Sequence, residues 1–340
     1  VTRYVEGREG FIGVGKQTAL LTAVPSTHFM TVRPSVDYKL QEPDYNYISD
    51  GIRKNRGQQI SVRGRRQAGG SIPAIMIPNE LTSGIGFAYL LGNNNAVTGS
   101  AGVGFLHTFD EPTELAPYPE NGFTLEKFLG GPDATLNHKF VGNFMTGAVF
   151  TFPESGECTV DYTGIGIKQE LSGTLGSPTY GEDQAYEGWM VNVELGADID
   201  NTAAIDFISG SLNIQNGVEL VPDRQSATQY FSGRTLGDLM VDFDFRFSLK
   251  NDLTMYNYWL NKTRAAMKIK LTHTLLAGTD SGVHSTEFWL YEVEFKSGPP
   301  ELNSANRLTM DCSVHAYRNA TAGKTITIKS KNSESGVYAV

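Results

Sequence analysis

Along this chain, apolar and polar residues alternate at every second position far more often than at helical spacing. In MVDFDFRFSL, Phe243, Phe245 and Phe247 fall on one face and Asp242, Asp244 and Arg246 on the other, the period of a half-buried strand. In EFWLYEVEF, Trp289, Tyr291, Val293 and Phe295 share a face, and MKIKLTHTLL and TITIKS alternate in the same way. Helical periodicity is scarce. The best case is NDLTMYNYWLN, where Asn251 or Asp252 caps a short helix that buries Leu253, Tyr256 and Leu260. The pattern predicts an all-β protein with short flanking helices.

The order of elements occurs twice: strand, long loop, strand, helix, then several strands. SVDYKLQ (35–41) matches SGSLNIQ (209–215), NELT (79–82) matches NDLT (251–254), AYLLG (88–92) matches NYWLN (257–261), and CTVDYTG (158–164) matches CSVHAYR (312–318). The expectation is a tandem duplication of a β-sandwich or barrel domain. The first unit is 1–180 with an N-terminal arm, and the second is 181–340 with a C-terminal extension. Each is of ordinary domain size. The divide falls near LSGTLGSPTYGEDQAYEG (171–188), which is rich in Gly, Ser and Pro and poor in periodicity. Cys158 and Cys312 occupy matching places, which predicts small core residues rather than partners in a bridge.

Composition narrows the function. Hydrophobic residues make up 40% of the chain, enough for a core in each half, and the formal charge of −9 argues against nucleic-acid binding by the whole surface. The opening VTRYVEGREG carries charge and lacks an apolar signal core, and no apolar run approaches a membrane span. The expectation is a soluble protein made in a reducing compartment.

Chemistry-bearing motifs are weak. GFIGVGKQT (10–18) has Gly10, Gly15 and Lys16 at P-loop spacing, but Gln17 stands where a magnesium-binding hydroxyl belongs and Thr18 comes one place late. The glycines instead suit an N-terminal arm that turns tightly beside the domain. No two histidines have metal-ligand spacing, DSGVHSTE (280–287) reads as a hairpin loop, and Glu292 and Glu294 alternate on a strand. No enzyme, metal or cofactor is predicted.

Several segments, in order, resemble the tail-tube proteins of long-tailed bacteriophages. They are GFIGVGKQTALLTAVPSTHFMTV, the run ISDGIRKNRG, the stretch ISGSLNIQNGVELVPDRQSATQYFSGRTLGDLMVDFDFRF, and SGPPELNSANRLTMDCSVHAYRN. The resemblance is strongest over 205–247 and 290–318. It implies a structural virion protein, made in the host cytoplasm and placed in the tail. Six β-sandwich or barrel units close a ring through a shared inner barrel, so a chain with two units builds a pseudo-hexameric ring from three copies. Rings stack into a hollow tube through which phage DNA passes. The implied partners are further copies of the chain, the tape-measure, baseplate and tail-terminator proteins, and DNA in transit without sequence specificity. No membrane is involved. Two other readings stay open: a carbohydrate- or receptor-binding β-sandwich, and the inner tube of a contractile tail.

Within that resemblance, Asp242 and Asp244 are candidates for a mildly acidic lumen wall, with Arg246 on the same face weakening the case. They equally fit a solvated strand face. Gly70, Ile72 and Ala74 are the matched positions of the first repeat. The loops at 42–59 and 219–238 are expected to make ring-to-ring contacts. Tyr45 and Tyr47 in one, and Tyr230 and Phe231 in the other, are candidate anchors. The run RKNRGQQISVRGRR holds Arg53, Lys54, Arg56, Arg63, Arg65 and Arg66 with no acid and no interleaved aromatics. Its expected partner is acid on an adjacent subunit, from 109–120 or 180–188, with a plain solvated face as the alternative. The role of the closing stretch 321–340 stays open.

Overall fold

The computed structural model describes residues 10–33, 36–41, 44–45, 62–63, 67–78, 82, 84–92, 94–111, 121–130, 137–171, 176–180, 184–222, 231–248, 254–296, 309–336 and 338. The first part of the chain forms β1 (Phe11–Lys16), β2 (His28–Met30), β3 (Asp37–Gln41), β4 (Asp44–Tyr45), β5 (Val62–Arg63), β6 (Gln67–Ile75), helix α1 (Ile85–Leu91), β7 (Asn94–Ser100), β8 (Gly104–Asp110), β9 (Phe123–Phe128), β10 (Asn137–Phe152), β11 (Thr159–Gly166) and β12 (Lys168–Leu171). A turn of 3-10 helix, Gly188–Met190, leads into β13 (Val191–Gly196), β14 (Thr202–Ala204), β15 (Phe207–Gln215), β16 (Glu219–Pro222), β17 (Phe231–Thr235), β18 (Met240–Ser248), α2 (Thr254–Leu260), β19 (Ala265–Leu276), β20 (Val283–Phe295), β21 (Thr309–Ala316) and β22 (Ile326–Asn332). The all-β class with short helices is as the alternation predicts.

The strand pairs among the described residues are antiparallel, and they curl into closed rings. In the first, β6 pairs with β11, β11 with β10, β10 with β9, β9 with β1 and β1 with β2. Closure comes just after β2, where Arg33 N–H donates to Pro73 O and Ile75 N–H to Thr31 O. In the second, β18 pairs with β21, β21 with β20, β20 with β19 and β19 with β13. It closes through Ile205 N–H to Val193 O and Ser248 N–H to Asp206 O. The two rings are joined along an edge, because β10 also pairs with β15 from Gly147↔Gln215 to Phe152↔Gly210.

Aromatic packing holds the junction. Every residue of α1 is buried, and Phe87 on it meets Phe109, Phe150 and Phe288 at ring-centroid distances of 5.7, 6.0 and 6.1 Å. Phe288 on β20 also lies 4.9 Å from Phe150 on β10. Cys158 and Cys312 are free and buried in this core, and burial pushes both thiols up to about 12. The closing stretch is also structural. β22 is inserted between β20 and β8, and the Tyr338 ring packs at a tilt against His107, 4.7 Å between centroids.

Four local readings need correction. GFIGVGK is the buried strand β1, not a turning arm. Its glycines permit close approach, since a Cβ on Gly15 would stand 2.3 Å from Pro25 O. In EFWLYEVEF the inward set is Phe288 and Leu290, then Val293 and Phe295. The β19–β20 register shifts between Ala265 and Met267, and such an irregularity flips the face of every residue beyond it. Leu260 is not buried by α2 but 55% exposed. Ile72 and Ala74 are buried while Asp244 and Arg246 are exposed, so that sequence match is off by one residue, which in a strand swaps faces. The exposed-side counterparts on β6 are Ser71 and Pro73.

Phe288→Ala should cost about 3–5 kcal/mol, because Phe288 bridges both rings of strands. Urea denaturation should show a lower midpoint.

Candidate assembly surfaces

Edge β3 is one surface. Among the described residues it pairs only with β6, from Asp37↔Ser71 to Gln41↔Gln67. Peptide groups in a strand point alternately to its two sides. Asp37 O approaches Gly70 on β6, so the groups of Val36, Tyr38 and Leu40 face the other way, into the open edge. The Tyr38 side chain anchors β3 from beneath, donating from its hydroxyl to Asn143 Oδ1 at 2.8 Å and packing on Phe140 at 5.1 Å. Lys127 on β9 reaches the open edge, donating to Val36 O at 3.0 Å and Tyr38 O at 3.3 Å. Burial pushes its ammonium below the usual lysine range, opposed by nearby Asp37.

The far end of β20 is the second edge. Glu294 and Phe295 pair with His315 and Val314 of β21, while the β19 pairing ends at Ala265↔Val293. Lys296 N–H continues the ladder to Ser313 O.

Between these edges runs a continuous polar face. One row reads Pro73, Asp161, Val149, Asn213, Asp242, His315 and Glu294, each opposite the next on neighbouring strands. Asp242 and Asp244 lie on this face with Ser211 and Ser313, away from the buried phenylalanines. Arg246 is also there, but its guanidinium grips Asp311 through Nε and Nη2, at 2.6 and 2.9 Å. That contact holds the Asp311 carboxyl below its ordinary range. Asp242 accepts from or pairs with His315 Nδ1 at 2.6 Å. The positive charge of Arg246 is therefore locally matched, as is Glu294 by Lys296 at 3.1 Å, and Asp161, Asp242 and Asp244 leave the face acidic.

The two ends of the strands differ. At one end, β16 and β17 form a hairpin; Val218 and Leu220 pack with Phe144, Ile165 and Leu20, and Arg234 sits 5.6 Å over the Phe144 ring. Phe231 lies half-buried at the start of β17. The corresponding pair β4–β5 places Tyr45 opposite Val62 and Arg63 opposite Asp44. Tyr47, Arg53, Lys54, Arg56, Arg65, Arg66 and Tyr230 lie outside the described residues. At the other end, the turn between β10 and β11 exposes Glu154 and Glu157, and the approach to β13 exposes Glu187 and Trp189. Backbone bonds tie these segments together, Gly188 N–H to Gly156 O and Cys158 N–H to Tyr186 O. Asp110, in the other acidic segment, is instead buried and bonded to Lys324 and Thr327.

Sequence pattern did not reveal Lys127 as an edge contact; FTLEKF reads only as a strand. Among the described residues no cluster of His, Cys, Asp and Glu could hold a metal, and no helix is long and apolar enough to cross a membrane.

Among the described residues the chain is thus a closed antiparallel β architecture with an open outer edge at β3 and a wide polar face. The family model of the phage tail tube protein matches residues 7–314, and the chain belongs to that family. It is a structural component of a phage tail tube. No curated protein matches it significantly. A solved structure titled "Crystal structure of Hcp protein" is similar at 14% identity over 41% of this chain and 96% of that one, with a TM-score of 0.21, too loose an overlap to support any inference.

Gly70 sits at φ +148°, and a Cβ there would fall 1.6 Å from Asp37 O. Gly70→Ala should lift β3 off β6. Hydrogen exchange should then show faster exchange at residues 37–41, with the β18–β21 amides unchanged.

Proposed function

We propose that three copies of this chain close a ring of six β units, and that rings stack into a hollow tube for DNA. The observation that carries this reading is the β10–β15 junction. There an edge of the first ring of strands pairs with β15 of the second, through peptide groups that include Asn216 N–H donating to Thr146 O. β3 is the sequence match of β15, with Val36, Tyr38 and Leu40 standing for Gly210, Leu212 and Ile214. The end of β20 occupies the place in the second ring that the end of β10 holds in the first. One chain thus joins its two units by the same kind of contact that β3 and the end of β20 offer to neighbours. The matching strand orders of the two rings support descent from a duplicated unit, divided near residue 180.

Closure around an axis satisfies edges that would otherwise recruit any strand. A second, heterologous contact along the axis does not close and gives a filament. The segments that carry Tyr45, Tyr47, Arg53, Lys54, Arg56, Arg63, Arg65 and Arg66, and Tyr230 with Phe231, lie in sequence between β3 and β6 and between β15 and β18, whose connected ends face one end of the barrel strands. Glu154, Glu157, Glu187 and Trp189 are exposed at the other. Basic arms of one ring meeting the acidic turns of the next set register by charge. The polar face with Asp161, Asp242 and Asp244 lines the lumen, where repulsion avoids the counterion release that would retain DNA.

Sizing and electron microscopy of the full chain test the ring. The expected species are trimers of the 37.1 kDa chain and tubes with threefold symmetry. Discrete monomers at high concentration, or rings of another stoichiometry, would refute it. The axial contact has its own test. Glu154→Lys/Glu157→Lys/Glu187→Lys and Arg53→Glu/Lys54→Glu/Arg56→Glu should each give rings without tubes, and an equimolar mixture should restore alternating tubes. A mixture that stays as rings removes the axial pairing.

A further inference from the structure

We infer that Lys127 guards the β3 edge in the free chain and is displaced when another copy pairs there; this rests on the ring reading above. The ammonium is bonded to Val36 O and Tyr38 O, the carbonyls that face the open edge. Neither belongs to a strand neighbouring β9 in its own sheet, whose partners are β1 and β10. Lys127 therefore reaches beyond its own strand pairs to an edge that has no strand partner among the described residues. An incoming strand needs those carbonyls as acceptors and the space that the lysine stem fills.

The comparison with β15 sharpens the point. The corresponding edge of β15, through Gly210, Leu212 and Ile214, is covered by β10 of the same chain as soon as the chain folds. The lysines of the second ring's matching strand, β19, are turned elsewhere: the Lys268 ammonium lies 4.6 Å from the Trp289 ring centroid, and Lys270 donates to Glu194 Oε1 at 2.8 Å. The edge that is covered within the chain has β10 upon it, and the edge that must wait for a second molecule has a cation upon it. Lysine on an exposed strand edge is a recognised way to block wrong pairing, since a charge cannot be buried between two strands without compensation. Here the charge is compensated in the free chain by the very carbonyls it protects. A correct partner replaces those contacts with a run of strand hydrogen bonds, whereas a short or misregistered strand does not.

The test is the rate of ring formation from isolated subunits, followed by light scattering and native mass. Lys127→Met keeps the stem length without the donor, and Lys127→Arg keeps a cationic donor. The Met variant should form rings about tenfold faster than wild type, or at a correspondingly lower concentration, as expected from losing charged hydrogen bonds that must otherwise be broken. The Arg variant should assemble at nearly the wild-type rate. Lys127→Gln, with a shorter neutral donor, should fall between them, and circular dichroism confirms that each variant is folded. A residue that merely stabilised the subunit would slow assembly or leave it unchanged when replaced by Met, so either result overturns the guard while leaving the ring intact. Wild-type chain that forms no rings overturns the ring reading itself.

Discussion

The satisfaction of backbone groups along β10 governs the rest of the structure. This strand runs for 16 residues and serves two sheets. Its first part pairs with β9 and β12, and its second with β11 and β15. Where partners change, the ladders shift register between Phe140 and Asn143 and between Met145 and Gly147. Buried peptide groups at such a break must find partners elsewhere. Amide side chains provide them. Asn143 donates to Phe123 O and Phe140 O, Gln17 accepts from Gly142 N–H, and Asn216 donates to Leu90 O and Met145 O. Gln17 also gathers the carbonyls of Ala19, Leu20 and Thr22. The residue that spoils the P-loop spacing is thus the one that stitches β1 to β10.

This stitching explains why the two rings of strands behave as one body. Asn216 follows β15, yet its bonds go to α1 and β10 of the other ring. The same transfer occurs with hydrophobic groups, since Phe288 of β20 packs on Phe150 and Phe152 of β10. β8 adds to β22 in the reverse direction, tying an early hairpin to a late strand. An edge, a helix and a hairpin are thus buried at one junction, while β3 and the end of β20 keep an outer side without a strand partner among the described residues.

The strand content was legible from alternation because each strand of the rings has one face inward. Phe243, Phe245 and Phe247 and their polar alternates are placed as the pattern says. Legibility failed where alternation is interrupted. The shift opposite Ala265–Met267 reversed the inward set within β20, and a one-residue error in matching repeats put Ile72 and Ala74 on the wrong face. Glycine-rich β1 looked like a turn because its small residues answer to Ser26, Pro25 and Phe29 packed across from them, which no local pattern encodes. The polar face could be found from β18 alone, but its extent could not, since register across β6, β11, β10, β15, β18 and β21 depends on pairings between distant segments. Lys127 was invisible for the same reason. Its two acceptors lie 91 and 89 residues away.

Joining two units in one polypeptide changes the physics of their edges. The β10–β15 contact forms within a single molecule, where linker length adds only a slowly growing entropic cost, and it needs no protection in the unassembled state. In the proposed ring, the β3 edge would form its contact at a rate set by chain concentration. A chain carrying one unit would expose such an edge on every unit; a chain carrying two exposes it on half of them. In the proposed ring, that difference would account for a cation at one edge and a strand at the other, and the asymmetry between β3 and β15 would follow from connectivity.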